Sequence, residues 1–316
     1  MLKSYHRILN AVSNEPWAIH PKKAMAILHF LELKSSGAKA NGHNDEGTDT
    51  SKLAERFTPA QDRKIAGTPG SIMVLPLQDV ISHRANLLDD FSGGTSVENF
   101  SKQFMGAINN QDIKVIILDV NSPGGAVSGV PELSKMIFDA RDKKSIIAQV
   151  DADAFSAAYW IATAAQEIVV TPSGEVGSVG VYTMHEDLSK YYEEAGIKET
   201  FISAGQFKVE GNPFEPLSEE ARAAIQTRVD DYYSMFIADV ARNRGVSKAE
   251  VEKNFGQGRV VGAQDAISLK MADRIGTMQD TLARFGANMY PSSTRNKSQP
   301  VERMTREAKL QRAKGE

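Results

Sequence analysis

Four short stretches of this 316-residue chain carry hydroxyl, amine and bare amide groups suited to acyl chemistry. Ser156 stands in D-A-F-S-A-A-Y-W-I-A, at the mouth of an apolar helical segment, and Lys208 closes S-A-G-Q-F-K. Ser178 lies between them in G-S-V-G, and Gly124 and Gly125 end the upstream run N-S-P-G-G. A hydroxyl attacks a carbonyl only when a base takes its proton and fixed donors hold the oxyanion that forms. Here an amine stands where histidine usually serves, and glycine amides are the donors.

Each of these residues also has a plain structural role. Serine is a favoured N-cap, and Ser156 follows the strand S-I-I-A-Q-V-D-A-D, so it would cap the next helix. The same place suits a nucleophile, because unpaired helix amides favour charge on an attacked carbonyl, and Ala157 and Ala158 leave room for a substrate backbone. A lone lysine is ordinarily a solvated surface group. It acts as a base only where an apolar site draws its pKa from about 10.4 toward 7–8. Phe207 and Val209 beside Lys208 suit partial burial; Glu210 does not. Ser178 is either a strand hydroxyl or an acceptor that aims the amine at Ser156. Gly124 and Gly125 fit a tight turn with positive φ, an oxyanion hole, or both.

The elements around these residues alternate. S-I-M-V-L-P-L from Ser71 reads as a buried strand, 96–108 as a helix, and I-K-V-I-I-L-D-V from Ile113 as a strand ending in the N-S-P-G-G turn. Helix over 126–141, strand from Ser145, helix over 154–164 and strand from Glu167 follow, with V-G-S-V-G-V-Y-T-M continuing the alternation. Strands separated by helices imply parallel pairing with right-handed crossovers. A long helix then runs from a cap at Ser218 to Gly245, and S-K-A-E from Ser247 is a capping-box start. Residues 1–33 read as an amphipathic helical arm, with Pro21 suited to a first turn. Residues 34–70 are polar and glycine-rich, a flexible linker, and the domain proper spans 71–285. In the basic tail 286–316, residues 295–316 hold seven Lys/Arg against three Glu.

Composition narrows the chemistry. Hydrophobic residues make up 41% and charged residues 24%, ordinary for a soluble globular protein, and the formal charge of −3 gives no general attraction to nucleic acid beyond the basic tail. There is no cysteine, which removes thiolate nucleophiles and thiolate metal sites. No apolar run approaches the roughly 18 residues of a membrane span and no secretory signal opens the chain, so the expectation is a cytoplasmic protein. No G-x-S-x-G elbow, H-E-x-x-H site or phosphate loop is present. His185 reads as structural or surface, and Asp119, Asp151 and Asp153 as local hydrogen-bond partners at strand ends. No metal, nucleotide or organic cofactor is implied.

Taken in order, S-P-G-G-A-V from Ser122, F-S-A-A-Y-W-I-A from Phe155, G-S-V-G-V, G-Q-F-K from Gly205 and G-R-V-V-G-A-Q-D-A-I from Gly258 resemble peptidase family S49, over about residues 71–280. The resemblance implies an α/β fold of the Clp protease and crotonase type, a spiral of β-β-α units assembled as homo-oligomers. It also implies Ser156 as nucleophile, Lys208 as base and Ser178 as the serine that contacts the lysine. S-A-A here replaces the commoner S-G-G, a difference expected to affect packing more than chemistry. The start N-E-P-W-A-I-H-P-K-K-A-M and the polar linker are similar to the tailed-phage branch of capsid-assembly and head-maturation proteases. That branch implies coat, portal or scaffold polypeptides as substrates, the chain itself among them, and action inside a host cell or capsid precursor. Two other classes compete: a crotonase-like acyl-CoA enzyme, which also uses paired backbone amides, and a non-catalytic assembly factor that keeps the fold.

Overall fold

The computed structural model of the protein describes residues 16–21, 71–84 and 94–287. Strands β2 (Ile72–Ser82), β4 (Val115–Ala126) and β5 (Ser145–Phe155) are the centre of a sheet ordered β3-β2-β4-β5-β6-β9, parallel throughout. Its outer strands are β3 (Thr95–Ser96), β6 (Glu167–Val170) and β9 (Arg274–Ile275). Parallel neighbours need crossovers, and α1 (Val97–Asn109), α2 (Val130–Asp139) and α3 (Ala157–Thr163) supply them. Both faces of the sheet are covered, which is why V-I-I-L-D-V can be almost wholly apolar. Ile116, Leu118 and Val120 pack with Phe104, Leu133 and Trp160 on one face. Val115 and Ile117 alternate onto the other face, with Met278 and Leu282 of α8 (Met278–Arg284).

Between β6 and α8 come β7 (Glu175–Gly177), α4 (Ser189–Glu194), α5 (Glu219–Arg244), α6 (Lys248–Asn254), β8 (Val260–Gly262) and α7 (Ala263–Ser268). The caps follow the sequence signals. Ser218 Oγ accepts from the Ala221 amide at 3.1 Å, and Gly245 ends α5 at φ 65°. Ser247 Oγ accepts from the Glu250 amide, while the reciprocal box is made by Thr277 and Asp280.

Strand β5 changes neighbours along its length. Ile147–Val150 pair with β6, whereas Asp153–Phe155 pair with β7. The strand thereby delivers Ser156 to the start of α3, where the chain is tightly fixed. Trp160 stacks on Phe236 at 4.4 Å and donates through Nε1 to Asp239, while the Tyr159 hydroxyl donates to the Met271 carbonyl at 2.9 Å. At the far end of α3 the Arg141 guanidinium donates to the carbonyls of Thr163, Ala164 and Ala165. These are the orphan acceptors of a helix C-terminus, and a cation there also complements the dipole.

Three expectations change on the structure. The N-S-P-G-G run is not a turn: β4 continues through it to Ala126, and α2 begins only at Val130. Glycine makes that possible, because a methyl on Gly125 would lie 1.9 Å from the Ile81 carbonyl oxygen of β2. The helix read from residue 154 begins at Ala157, its first residues being the end of β5. Within the 1–33 arm, Trp17–Ile19 is a strand, β1, antiparallel to β4. An unpaired β4 edge outweighs helix propensity over so short a segment. The remaining arm residues apart from Pro16, His20 and Pro21, the 34–70 linker and the tail beyond Ala287 lie outside the described residues. Among the described residues, no helix is long and apolar enough to cross a membrane.

Candidate active site

Ser156 occupies the N-cap position of α3 but does not cap it, since its side chain accepts no helix amide. Its backbone sits at φ 54°, ψ −116°, outside the regions open to ordinary L-residues. The strain is held by its surroundings. The Ser156 amide donates to the Gly177 carbonyl at 2.7 Å, its carbonyl accepts from Trp160, and Oγ donates to the Gly180 carbonyl at 3.3 Å. A serine forced into such a strand-to-helix bend presents its hydroxyl away from the helix, the backbone form of a nucleophile elbow. The elbow is present although the G-x-S-x-G sequence is not. Those glycines relieve crowding at the bend, and here the relief comes from the neighbouring strand. A methyl on Gly124, at φ 95°, would lie 2.2 Å from Ala18 O, 2.8 Å from Phe155 O and 3.1 Å from Ala157 N.

The amides around Ser156 sort differently from the sequence expectation. The Gly124 amide is already taken by Ser122 Oγ at 3.2 Å, and that hydroxyl donates onward to the Asp79 carbonyl. Gly124 therefore contributes space rather than an oxyanion donor. The Gly125 amide lies in the β1–β4 ladder opposite Ala18, and Ala157, first residue of α3, has no acceptor four residues back in the helix. In an elbow the residue after the nucleophile is the one placed to supply an oxyanion donor, which after Ser156 is Ala157. The strand–serine–helix order was the available signal for Ala157. Nothing in the sequence pointed to Ser122.

Ser178 lies beside the elbow. It directly follows Gly177, whose carbonyl holds the Ser156 amide, and its own amide donates to Arg259 O at 2.8 Å. Ser178 is buried and, like Ser156, takes a positive φ, here 53°. Gly124, Gly125, Ser156 and Ser178 thus converge.

Lys208 does not join them within one chain. It sits exposed in the turn after Gly205, and its ammonium makes no hydrogen bond or ion pair among the described residues. Ser156, by contrast, is only 1% exposed. The lysine belongs to a long irregular excursion between β7 and α5 that leaves large apolar side chains in solvent, Ile202 fully and Phe207 by 49%. Ring contacts join parts of it, Tyr192 with Phe214 at 5.0 Å and Phe201 with Phe214 at 5.8 Å, and the Leu188 amide donates to the Pro213 carbonyl at 2.8 Å. His185, on the same excursion, meets the Asn212 carbonyl and lines a cavity of about 570 Å³ with Tyr182, Arg222 and Ile225. Among the described residues no cluster of three or more His, Asp or Glu side chains is placed to hold a metal ion.

Comparison with known proteins matches residues 139–289 to peptidase family S49. The chain is 28% identical to the head-tail preconnector protein GP5 of Enterobacteria phage P21 over 289 residues, 90% of this chain and 57% of that protein. It is 30% identical to the capsid assembly protease C of Escherichia phage lambda, over 89% of this chain and 65% of that one. The chain therefore spans about three fifths of the length of these phage relatives. Among solved structures, a point mutant of ClpP1 from Listeria monocytogenes superposes with a TM-score of 0.39 at 14% identity, over 73% of this chain and 97% of that one.

Proposed function

Residues 139–289 of the chain belong to peptidase family S49, and from that premise we propose that the protein is a serine endopeptidase with a Ser156–Lys208 dyad. The observation that carries this reading is the Ser156 elbow, a strained and buried hydroxyl at the entry of α3 with the helix's first amide directly after it. In the proposed cycle Ser156 Oγ attacks the scissile carbonyl while the neutral Lys208 amine takes its proton. The Gly125 and Ala157 amides hold the tetrahedral oxyanion. As the C–N bond breaks, the lysine returns the proton to the leaving nitrogen, and water then hydrolyses the acyl-enzyme with Lys208 again as base. Ser178, beside the elbow, would orient the amine.

A lysine in bulk water stays protonated, so the dyad requires Lys208 to be desolvated against Ser156. The exposed apolar side chains flanking it, Phe201, Ile202 and Phe207, favour burial against a second copy of the chain. Oligomerisation therefore completes the site in this reading. The likeness to the phage capsid assembly protease C favours coat, portal or scaffold polypeptides as substrates. An acyl-CoA enzyme would have no use for a strained serine, and that argues against the crotonase alternative.

Mass spectrometry of the purified protein with casein or a scaffold polypeptide tests this directly. Ser156→Ala should reduce cleavage by about 10⁴-fold or more with unchanged circular dichroism. Lys208→Ala should do the same, and Lys208→Arg should not rescue, because a guanidinium does not give up its proton. Undiminished cleavage by Ser156→Ala would end the proposal.

A further inference from the structure

Strand β1 is hydrogen-bonded on both sides, and both partners are walls of the Ser156 site. On one side it runs antiparallel to β4, pairing Trp17 with Ala126, Ala18 with Gly125 and Ile19 with Gly124. On the other, Trp17 and Tyr182 exchange backbone bonds of 2.8 and 3.0 Å, two residues beyond the Gly180 carbonyl that receives Ser156 Oγ. The phase of the β4 ladder is fixed by His20 N to Pro123 O at 2.9 Å and Val127 N to Pro16 O at 3.2 Å. In an antiparallel ladder the bonded rungs alternate, so Ala18 and Gly125 form the rung between them and the Gly125 amide faces the Ala18 carbonyl. The same carbonyl oxygen and the Ala157 nitrogen lie 2.2 and 3.1 Å from one point beside Gly124. The Ala18 carbonyl therefore points into the space where a substrate carbonyl would meet its oxyanion donors.

We infer that the cleft between Gly124–Ala126 and Tyr182 binds extended polypeptide by strand addition, and that this chain fills it with its own Trp17–Ile19 as a displaceable stand-in for substrate. This deepens the peptidase reading and rests on it. The occupant also specifies the substrate class. Ala18 and Ile19 are 0% and 3% exposed, so the cleft takes a small residue where the carbonyl meets Gly125 and an apolar one immediately after it. Main-chain bonds supply the hold and alternate side-chain positions supply the selection. The hold is imperfect, because His20 Nδ1 is buried without a partner, and desolvating an unpaired nitrogen weakens the contact. As a covalently attached strand, β1 competes at an effective concentration on the order of millimolar, and any added substrate must outcompete it.

The test uses the full chain carrying Ser156→Ala, so that nothing is turned over, and a fluorescent peptide with the sequence of residues 14–22. Two altered forms accompany it, one with Ala18→Asp, which puts a charge into the closed position, and one with Ala18→Pro, which removes the amide of the central rung. Fluorescence anisotropy should show both altered forms binding the peptide at least tenfold more tightly than the unaltered N-terminus does. A peptide carrying Ala18→Asp should bind none of them. Equal affinity across the three forms, or folded variants that bind no peptide, would overturn the inference. Thermal melts decide the remaining case: if both variants unfold, β1 is a strand the fold cannot do without, and the idea fails. Turnover plays no part here, so a wild-type protein that cleaves nothing would sink the peptidase reading while leaving this result to stand by itself.

Discussion

The two halves of the proposed dyad sit in opposite physical settings. Ser156 is closed in by β4, β5, β7 and the buried helix α3, with its backbone held at a conformation it would not adopt alone. Lys208 stands exposed on an excursion between β7 and α5, near Phe201, Ile202 and Phe207, large apolar side chains that the described residues leave exposed. Helix α5 repeats the contrast along its own axis: Phe236, Ile237, Val240 and Ala241 are buried in its last turns, whereas of its first four turns only Ala221 is. The nucleophile end of the site is finished by the fold of one chain. The base end is left open, and its exposed surface is of the kind that a partner copy covers.

The sharpest way to break this comparison is to separate the two ends. Ser156→Ala and Lys208→Ala chains, each inactive, should regain activity when co-expressed if one copy's lysine serves its neighbour's serine. Random pairing would restore about a quarter of the wild-type rate on a fluorogenic peptide, since one site in four then has both groups. A mixture as inactive as its parts would place the dyad within one chain. A smaller effect separates the two regions by stability. Gly124→Ala introduces a methyl against two carbonyl oxygens at a positive φ and should lower stability by about 2–4 kcal/mol in urea unfolding. Gly196→Ala, at φ 69° with nothing within 4 Å of the new methyl, should cost about 1 kcal/mol. Similar losses at the two positions would mean that the elbow is not the rigid half. Least in magnitude for the single chain is Ile202→Ser. A fully exposed side chain should change unfolding by under about 0.5 kcal/mol, yet the substitution should shift the sedimentation profile toward smaller species. An unchanged profile would remove Ile202 from the contact surface.

Much of the scaffold was legible in the chain because its cues are local. Strand–helix alternation, the Ser218 cap and the Gly245 stop all act within one or two turns, and each appears where the pattern places it. The α/β class follows from the same alternation. Ser156 was legible as a helix-entry serine, whereas the place of Ser178 beside it came from β7, whose Gly177 carbonyl accepts from the Ser156 amide. The reading failed where a distant strand decided the conformation. N-S-P-G-G carries every mark of a turn, yet pairing with β2 on one edge and β1 on the other stretches it into strand. Trp17–Ile19 sits in the arm read as helical, but an open sheet edge gives its backbone partners in β4.

By itself, then, the sequence determined which groups are available: the serine at a helix mouth, the lysine, the glycines and the order of elements that bear them. Tertiary structure alone decided what those groups face. It assigned the Gly124 amide to Ser122, left the Ala157 amide open, seated Trp17–Ile19 across the cleft and left Lys208 in solvent. The physical reason is range. Capping, periodicity and turn chemistry are set by residues a few positions apart, whereas the hold on Ser122 from Asp79, on Ser156 from Gly177 and on β4 from β1 joins segments from about twenty to more than a hundred residues apart.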